Sequence, residues 1–205
     1  MDVCIKICGI ANQRDLTEVA SLKPDALGFV LWPKSPRCVK PDDLVKWLPM
    51  VSTKALKVGV FVDPDPKEAI RIAREAGLDV IQLHGDQSAA PYEIAGIKVW
   101  RAIYANRISP VEVDSGYVDA YVADTYSKDL PGGTGKVGNW EAVRSLVQIS
   151  SKPVLLAGGL HPGNVKNAVR AVHPWGVDVS SGVEAEPGKK DINKVRDFIQ
   201  QCRTV

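Results

Sequence analysis

Eight times along this chain a short β-branched run gives way to a loop and then to an amphipathic, helix-forming stretch. The runs are 3–7, 26–30, 56–62, 80–83, 98–103, 120–123, 154–157 and 176–179. Helical stretches begin near Asn12, Pro41, Pro66, Ser88, Pro110, Asn139, Pro162 and Asp191, residue types that favour helix starts. Within 66–76, Lys67, Arg71, Arg74 and Glu75 point outward and Ile70 and Ala73 inward. The stretch 110–116 is the weakest helix, being short and containing Gly and β-branched residues. Strand and helix in strict alternation point to a parallel sheet, because each strand must return to the same end before the next begins. An open doubly wound sheet would place G-x-G-x-x-G after the first strand, and Cys8-Gly9-Ile10-Ala11-Asn12 does not supply it. Eight units in 205 residues fit an α/β fold of one compact domain over 1–205, a (β/α)8 or TIM barrel near the small end of that fold.

Charge and composition narrow what such a barrel would handle. The net charge is +2 and no basic run occurs, so no nucleic-acid partner is expected. The start Met1-Asp2-Val3-Cys4 lacks the apolar stretch of a secretion signal. No segment approaches the ~20 apolar residues of a membrane span, so no membrane partner is expected and the cytoplasm is the expected location. The four cysteines are expected as free thiols. Cys4 and Cys8 share a strand and lie about 13 Å apart at ~3.3 Å per residue. A disulfide spans only about 4.4–6.8 Å between Cα atoms. No C-x-x-C occurs, and Cys8, His84 and His161 lack ligand spacing, so no metal is expected.

Side chains alternate across a strand, and barrel strands bury one face under helices and the other in the lumen. The apolar set Val3, Ile5 and Ile7 is therefore expected outside and Cys4, Lys6 and Cys8 inside. By the same alternation Gln82, His84, Val122, Asp124, Asp178 and Ser180 face inward. A buried ammonium requires a partner, and Asp178 is the nearest inward carboxylate if the last strand joins the first. A Lys6–Asp178 pair within about 4 Å follows.

Catalytic groups of such barrels sit where strands end. Those positions hold Cys8, Arg37 in Pro33-Lys34-Ser35-Pro36-Arg37, Asp63, His84, Tyr104, Asp124, Gly158-Gly159 and Ser180-Ser181-Gly182. Cys8 before Gly9 is a candidate base or nucleophile, and Asp124 a candidate acid across the mouth. Gly158, Gly159, Ser181 and Gly182 expose backbone amides in the loops where barrels hold phosphate. Arg37 is a candidate clamp for a second anion, since guanidinium grips carboxylate with two parallel bonds. His84 reads equally as a satisfied lumen histidine or a ligand contact. Gly132-Gly133-Thr134-Gly135-Lys136 is followed by Val137, so it lacks the phosphate-loop frame and suits a loop over the site. The expected partner is a small phosphorylated molecule.

Taken in order, Lys6-Ile7-Cys8-Gly9-Ile10, Gly28-Phe29-Val30, Pro33-Lys34-Ser35-Pro36-Arg37, Val58-Gly59-Val60-Phe61-Val62, Gln82-Leu83-His84-Gly85, Gly132-Gly133-Thr134-Gly135-Lys136, Ala157-Gly158-Gly159-Leu160 and Asp178-Val179-Ser180-Ser181-Gly182-Val183-Glu184 resemble the N-(5′-phosphoribosyl)anthranilate isomerase family of tryptophan biosynthesis. The resemblance covers essentially the whole chain. It implies an Amadori rearrangement with no cofactor and no metal. Cys8 is implied as general base and Asp124 as general acid. Arg37 is implied on the anthranilate carboxylate, and Gly158, Gly159, Ser181 and Gly182 on the phosphate. His84, Asp178 and Ser180 are further candidate substrate contacts, from their inward places at the strand ends. For this chemistry Cys8 must give up a proton near neutral pH while Asp124 keeps one. The chain departs from the family at Val137-Gly138-Asn139-Trp140, where an aromatic and an acid usually precede the Trp, and at Leu31-Trp32. A monomer or homodimer is expected. Other readings are another phosphosugar barrel, of epimerase or indole-glycerol-phosphate synthase type, or a phosphate-binding barrel without turnover.

Overall fold

Each β-branched run becomes a strand because both its faces can be buried, one in a lumen and the other beneath helices. The computed structural model describes residues 3–104, 117–124 and 139–205. Its strands are β1 (Cys4–Ile7), β2 (Ala26–Val30), β3 (Leu56–Val62), β4 (Val80–His84), β5 (Lys98–Tyr104), β6 (Ala120–Asp124), β7 (Val154–Ala157) and β8 (Gly176–Val179). Neighbours pair in parallel, and β1 also pairs with β8, so the sheet closes into a barrel. The closing register sets Cys4 beside Gly176 and Lys6 beside Asp178. β4, β5 and β6 run one residue further than expected, so His84, Tyr104 and Asp124 stand on the strands themselves.

Two apolar cores result. Ala26, Val58, Val80, Trp100, Ala120, Val122, Leu155 and Ala157 fill the lumen. Val3, Ile5, Ile7, Leu27, Phe29, Ile81, Leu83 and Val177 belong to the outer core beneath the helices. The helices are α1 (Gln13–Ser21), α2 (Pro41–Trp47), α3 (Pro66–Ala76), α4 (Ala90–Ile94), α5 (Trp140–Ile149), α6 (Val165–Val172) and α7 (Ile192–Arg203). Asn12, Asp65, Asn139 and Asp191 accept bonds from first-turn amides of α1, α3, α5 and α7. Such caps satisfy amides that a helix start leaves without partners. α4 and α6 begin later than expected, at Ala90 and Val165. In α3 the buried stripe is Ala69, Ile72, Ala73 and Ala76, with Ile70 only half-buried at its margin. The 3.6-residue period explains the correction: 69, 72, 73 and 76 share a face that 70 only borders. The expected helix over 110–116 and the glycine loop 132–136 lie outside the described residues.

At the end where the strands begin, an aspartate recurs on alternate strands. The carboxylates of Asp25, Asp79 and Asp119 accept from the amides of Ile5, Lys57 and Val99 at 2.8, 2.8 and 2.7 Å. The amides of the same aspartates donate to the carbonyls of those same residues at 2.9, 2.8 and 2.8 Å. Each aspartate thus pins the strand it opens to the one before it, and this end is devoted to stability rather than chemistry. Beyond β8 the chain makes one 3-10 turn, Ser181–Val183, and then an unexpected hairpin, β9 (Glu184–Glu186) with β10 (Lys189–Lys190). Among the described residues no helix is long and apolar enough to cross a membrane.

Candidate active site

Cys8 continues the line of β1, and its amide donates to the Val179 carbonyl of β8 at 2.8 Å. The side chain faces β2, where Gly28 leaves space for it. A Cβ on Gly28 would stand 2.7 Å from the Cys8 sulfur, so any larger residue would displace the thiol. Two positions earlier, Lys6 is fully buried and its Nζ lies 2.9 Å from Asp178 Oδ1. The pair expected from strand order is therefore present and bridges the strands that close the barrel.

These charges govern the thiol. Burial pushes Cys8 up from its ordinary pKa; the Lys6 ammonium opposes this by charge and hydrogen bonding, and Asp178 reinforces it. Burial would likewise drive Lys6 down, but Asp178 and Cys8 outweigh it and the ammonium is held. The expectation that Cys8 readily gives up its proton near neutrality is thus not met in the free chain. Desolvation disfavours the thiolate more than one paired lysine favours it. Cys4, deeper in the strand, is pushed up to about 12, chiefly by burial and then by Asp25.

Gln82 and His84 occupy successive inward positions on β4, with Gln82 Nε2 3.0 Å from His84 Nε2. Burial lowers the His84 pKa to about 4, with the charge of Lys6 adding to the effect. The ring is therefore neutral at pH 7. Asp124 ends β6, half-buried and in register with Tyr104 and Ala157. Around the ring it is three strands from Cys8, through β8 and β7.

The loops after β7 and β8 meet. Gly158 and Gly159 have φ of 89° and 65°, the left-handed region glycine favours. Asn164 binds both ends of that turn, donating to the Gly159 carbonyl at 2.9 Å and accepting from the His161 amide at 2.8 Å. A Cβ on Gly182 would fall 1.8 Å from the Leu160 carbonyl oxygen, so only glycine permits the two loops this approach. Ser180 and Ser181 lead into that contact, Ser181 exposed and Ser180 half-buried.

Arg37 does reach this cluster, but its guanidinium already forks onto Glu184, with Nε and Nη2 donating at 2.8 and 2.6 Å. Glu184 and its second partner Lys190 carry charge beside the mouth, and the reading of strand ends missed both. The available signal was Pro187-Gly188, a turn pair that folds Lys190 back toward Glu184. An open groove of about 770 Å³, lined in part by Lys23, Asp25, Met50 and Lys54, lies at the opposite end of the barrel from these groups. Among the described residues no three His, Cys, Asp or Glu side chains gather as metal ligands would.

Residues 5–201 match the family model for N-(5'phosphoribosyl)anthranilate (PRA) isomerase. The Aquifex aeolicus N-(5'-phosphoribosyl)anthranilate isomerase is 41% identical over 206 aligned residues, covering 98% of this chain and 99% of its own. The phosphoribosyl anthranilate isomerase crystal structure from Thermotoga maritima superposes with a TM-score of 0.88 at 33% identity, covering 99% of this chain and all of that one. A phosphoribosyl anthranilate isomerase in complex with reduced 1-(o-carboxyphenylamino)-1-deoxyribulose 5-phosphate superposes at 0.84 with 30% identity, covering 99% of this chain and 100% of that one.

Proposed function

The chain belongs to the N-(5′-phosphoribosyl)anthranilate isomerase family, and we propose that it converts phosphoribosylanthranilate to 1-(o-carboxyphenylamino)-1-deoxyribulose 5-phosphate at the mouth formed by Cys8, Arg37, Asp124 and Asp178. The observation that carries the reading is the closure of β8 on β1. It gathers a thiol, a buried ammonium and the Ser180-Ser181-Gly182 turn at one strand end.

In this mechanism Asp124 donates a proton to the ribose ring oxygen, the C1–O bond breaks, and an iminium forms at the anthranilate nitrogen. Its positive charge acidifies the neighbouring C2–H. The same charge, added to that of Lys6, favours the Cys8 thiolate that burial disfavours in the free chain. Cys8 takes the C2 proton, and the enolamine becomes the ketone as C1 gains a proton and the C2 hydroxyl gives one up. General acid and base are thus separate groups on opposite sides of one substrate.

Phosphate would lie against the amides of Gly158, Gly159, Ser181 and Gly182, an arrangement supported by the contact between their loops. The Nη1 side of Arg37 would take the anthranilate carboxylate. Neutral His84, the second oxygen of Asp178 and Ser180 would meet the sugar. No step calls on a cofactor or metal. The reading treats 1–205 as one barrel domain acting in the cytoplasm as a monomer or homodimer.

The direct test is turnover of phosphoribosylanthranilate, followed by loss of its anthranilate fluorescence, by the wild type and by Asp124→Asn. Activity in the wild type and its near-complete loss in the variant are expected. An Asn variant that keeps both limbs of the pH–rate profile would remove Asp124 from the role of acid.

A further inference from the structure

Two opposite charges are buried beside the mouth, outside the acid–base pair. Glu184 and Lys190 are each 7% exposed, and they face one another across the β9–β10 hairpin. Glu184 Oε1 accepts from Lys190 Nζ at 2.9 Å and from Arg37 Nε at 2.8 Å, while Oε2 accepts from Arg37 Nη2 at 2.6 Å. One carboxylate therefore holds two cations. Lys190 Nζ also donates to the Ser180 carbonyl at 3.2 Å, and its backbone amide donates to buried Asp15 on α1 at 2.6 Å. Lys194 at the start of α7 donates to the Glu184 carbonyl at 2.9 Å. The cluster is thus anchored to α1 and α7 and touches the turn that follows β8.

Its position bears on the substrate. Arg37 crosses directly over the turn after Cys8: a Cβ on Gly9 would lie 2.7 Å from Arg37 Cδ and 2.7 Å from Ser180 Oγ. An unrestrained arginine there would sample many rotamers, and ordering one on binding costs affinity. The fork with Glu184 fixes the plane of the guanidinium and leaves the Nη1 side for a ligand. Stability alone explains the arrangement poorly, since buried ion clusters are often no more stable than apolar packing of equal volume.

We propose that Glu184, held by Lys190, is a positioning residue that aims Arg37 at the carboxylate end of the substrate and ties it to the Ser180 backbone at the phosphate end. One buried ion cluster then sets the distance between the two anion grips. The inference rests on the substrate assigned under the proposed function.

The test is steady-state kinetics with phosphoribosylanthranilate on the wild type, Arg37→Ala, Glu184→Gln and the double variant. Glu184→Gln should raise KM about tenfold while kcat stays within about threefold, and should add less than about twofold to KM once Arg37 is Ala. Lys190→Met should weaken competitive inhibition by inorganic phosphate about fivefold. Additive effects of Arg37→Ala and Glu184→Gln, or an unchanged KM in Glu184→Gln beside an impaired Arg37→Ala, would overturn the inference while sparing the function. Unchanged phosphate inhibition in Lys190→Met would overturn the tie to Ser180. An unchanged KM in Arg37→Ala would remove the substrate assignment of Arg37 and the inference with it. If the Gln variant does not fold, Glu184→Asp, which keeps the charge and shortens the fork, must show the same non-additive rise in KM or the inference falls.

Discussion

Cys8 and Cys4 are the same residue type on the same strand face, yet their surroundings differ. Cys8 stands at the strand end, with Lys6 acting on it and Gly28 giving it room. Cys4 lies deeper, where burial and then Asp25 hold its thiol protonated against the opposing charge of Arg203. Cys8→Ala should therefore lose turnover by at least about a hundredfold, the lower range for a removed acid–base group, with its melting temperature nearly unchanged. Cys4→Ala should retain activity, and equal losses in the two would refute the assignment of the base. Lys6→Met removes the charge that favours the thiolate and leaves Asp178 without it. Alkylation of the Cys8 peptide by iodoacetamide, followed against pH, should then begin at higher pH than in the wild type. Stability should fall by about 3–5 kcal/mol, as expected when one partner of a buried pair is removed. His84 supplies a pH signature of folding. Its folded pKa of about 4 lies below its ordinary 6.5, so between these values the unfolded chain binds more protons. The stability His84 contributes is complete above pH 6.5 and is lost as pH falls toward 4. Comparing melting temperatures of wild type and His84→Gln across that window should show the steeper fall in the wild type.

Between elements, two contacts made by glycine decide the architecture of the mouth. Gly182 lets the β8 loop touch the Leu160 carbonyl, and Gly28 lets β2 accept the Cys8 sulfur. Gly182→Ala would force backbone apart, because the atom it strikes is a carbonyl and not a flexible side chain. Loss of inorganic phosphate binding, measured by calorimetry, should accompany destabilisation above the about 1–3 kcal/mol typical of overpacking. At the other end of the strands, Asp79→Ala leaves the Lys57 amide without its carboxylate partner. It should cost about 0.5–1.5 kcal/mol, the net worth of an ordinary hydrogen bond that water can replace, and leave KM unchanged. The contrast between these variants would separate the face that binds from the face that stabilises.

At the scale of the whole molecule, the barrel depends on its two ends meeting. β8 pairs with β1, and α7 covers that seam with buried Val195, Phe198 and Cys202. Arg203 at the end of α7 donates to the Val3 carbonyl at 3.1 Å and to Asp25 at 2.8 Å. Removing 192–205 would expose the outer face of β1 and free the Glu184 carbonyl from Lys194. A chain ending at Asp191 should therefore lose cooperative thermal unfolding and bind a hydrophobic dye. Cooperative melting of that truncated chain would show that β1 and β8 close without their covering helix.

The fold was legible in the residues because burial on both faces leaves a periodic trace. Alternation puts Lys6 and Asp178 inside, and the β-branched runs place eight strands within about a residue. Helix starts with a capping Asn or Asp, at 12, 139 and 191, were equally readable, since the cap is local chemistry. The turn after β8 is marked by Pro187-Gly188, but the burial of Glu184 and Lys190 is not legible, because it depends also on partners far along the chain, Arg37 and Asp15. The protonation of Cys8 was hidden for a related reason. Strand position identifies a thiol at the mouth, but its proton affinity is set by solvent exclusion and by charges on other strands. Short-range patterning of the sequence thus determined the barrel and the identity of its strand-end groups. Only the tertiary structure decided that Glu184 meets Arg37 and Lys190 there, because electrostatic environment depends on distances that sequence separation does not encode.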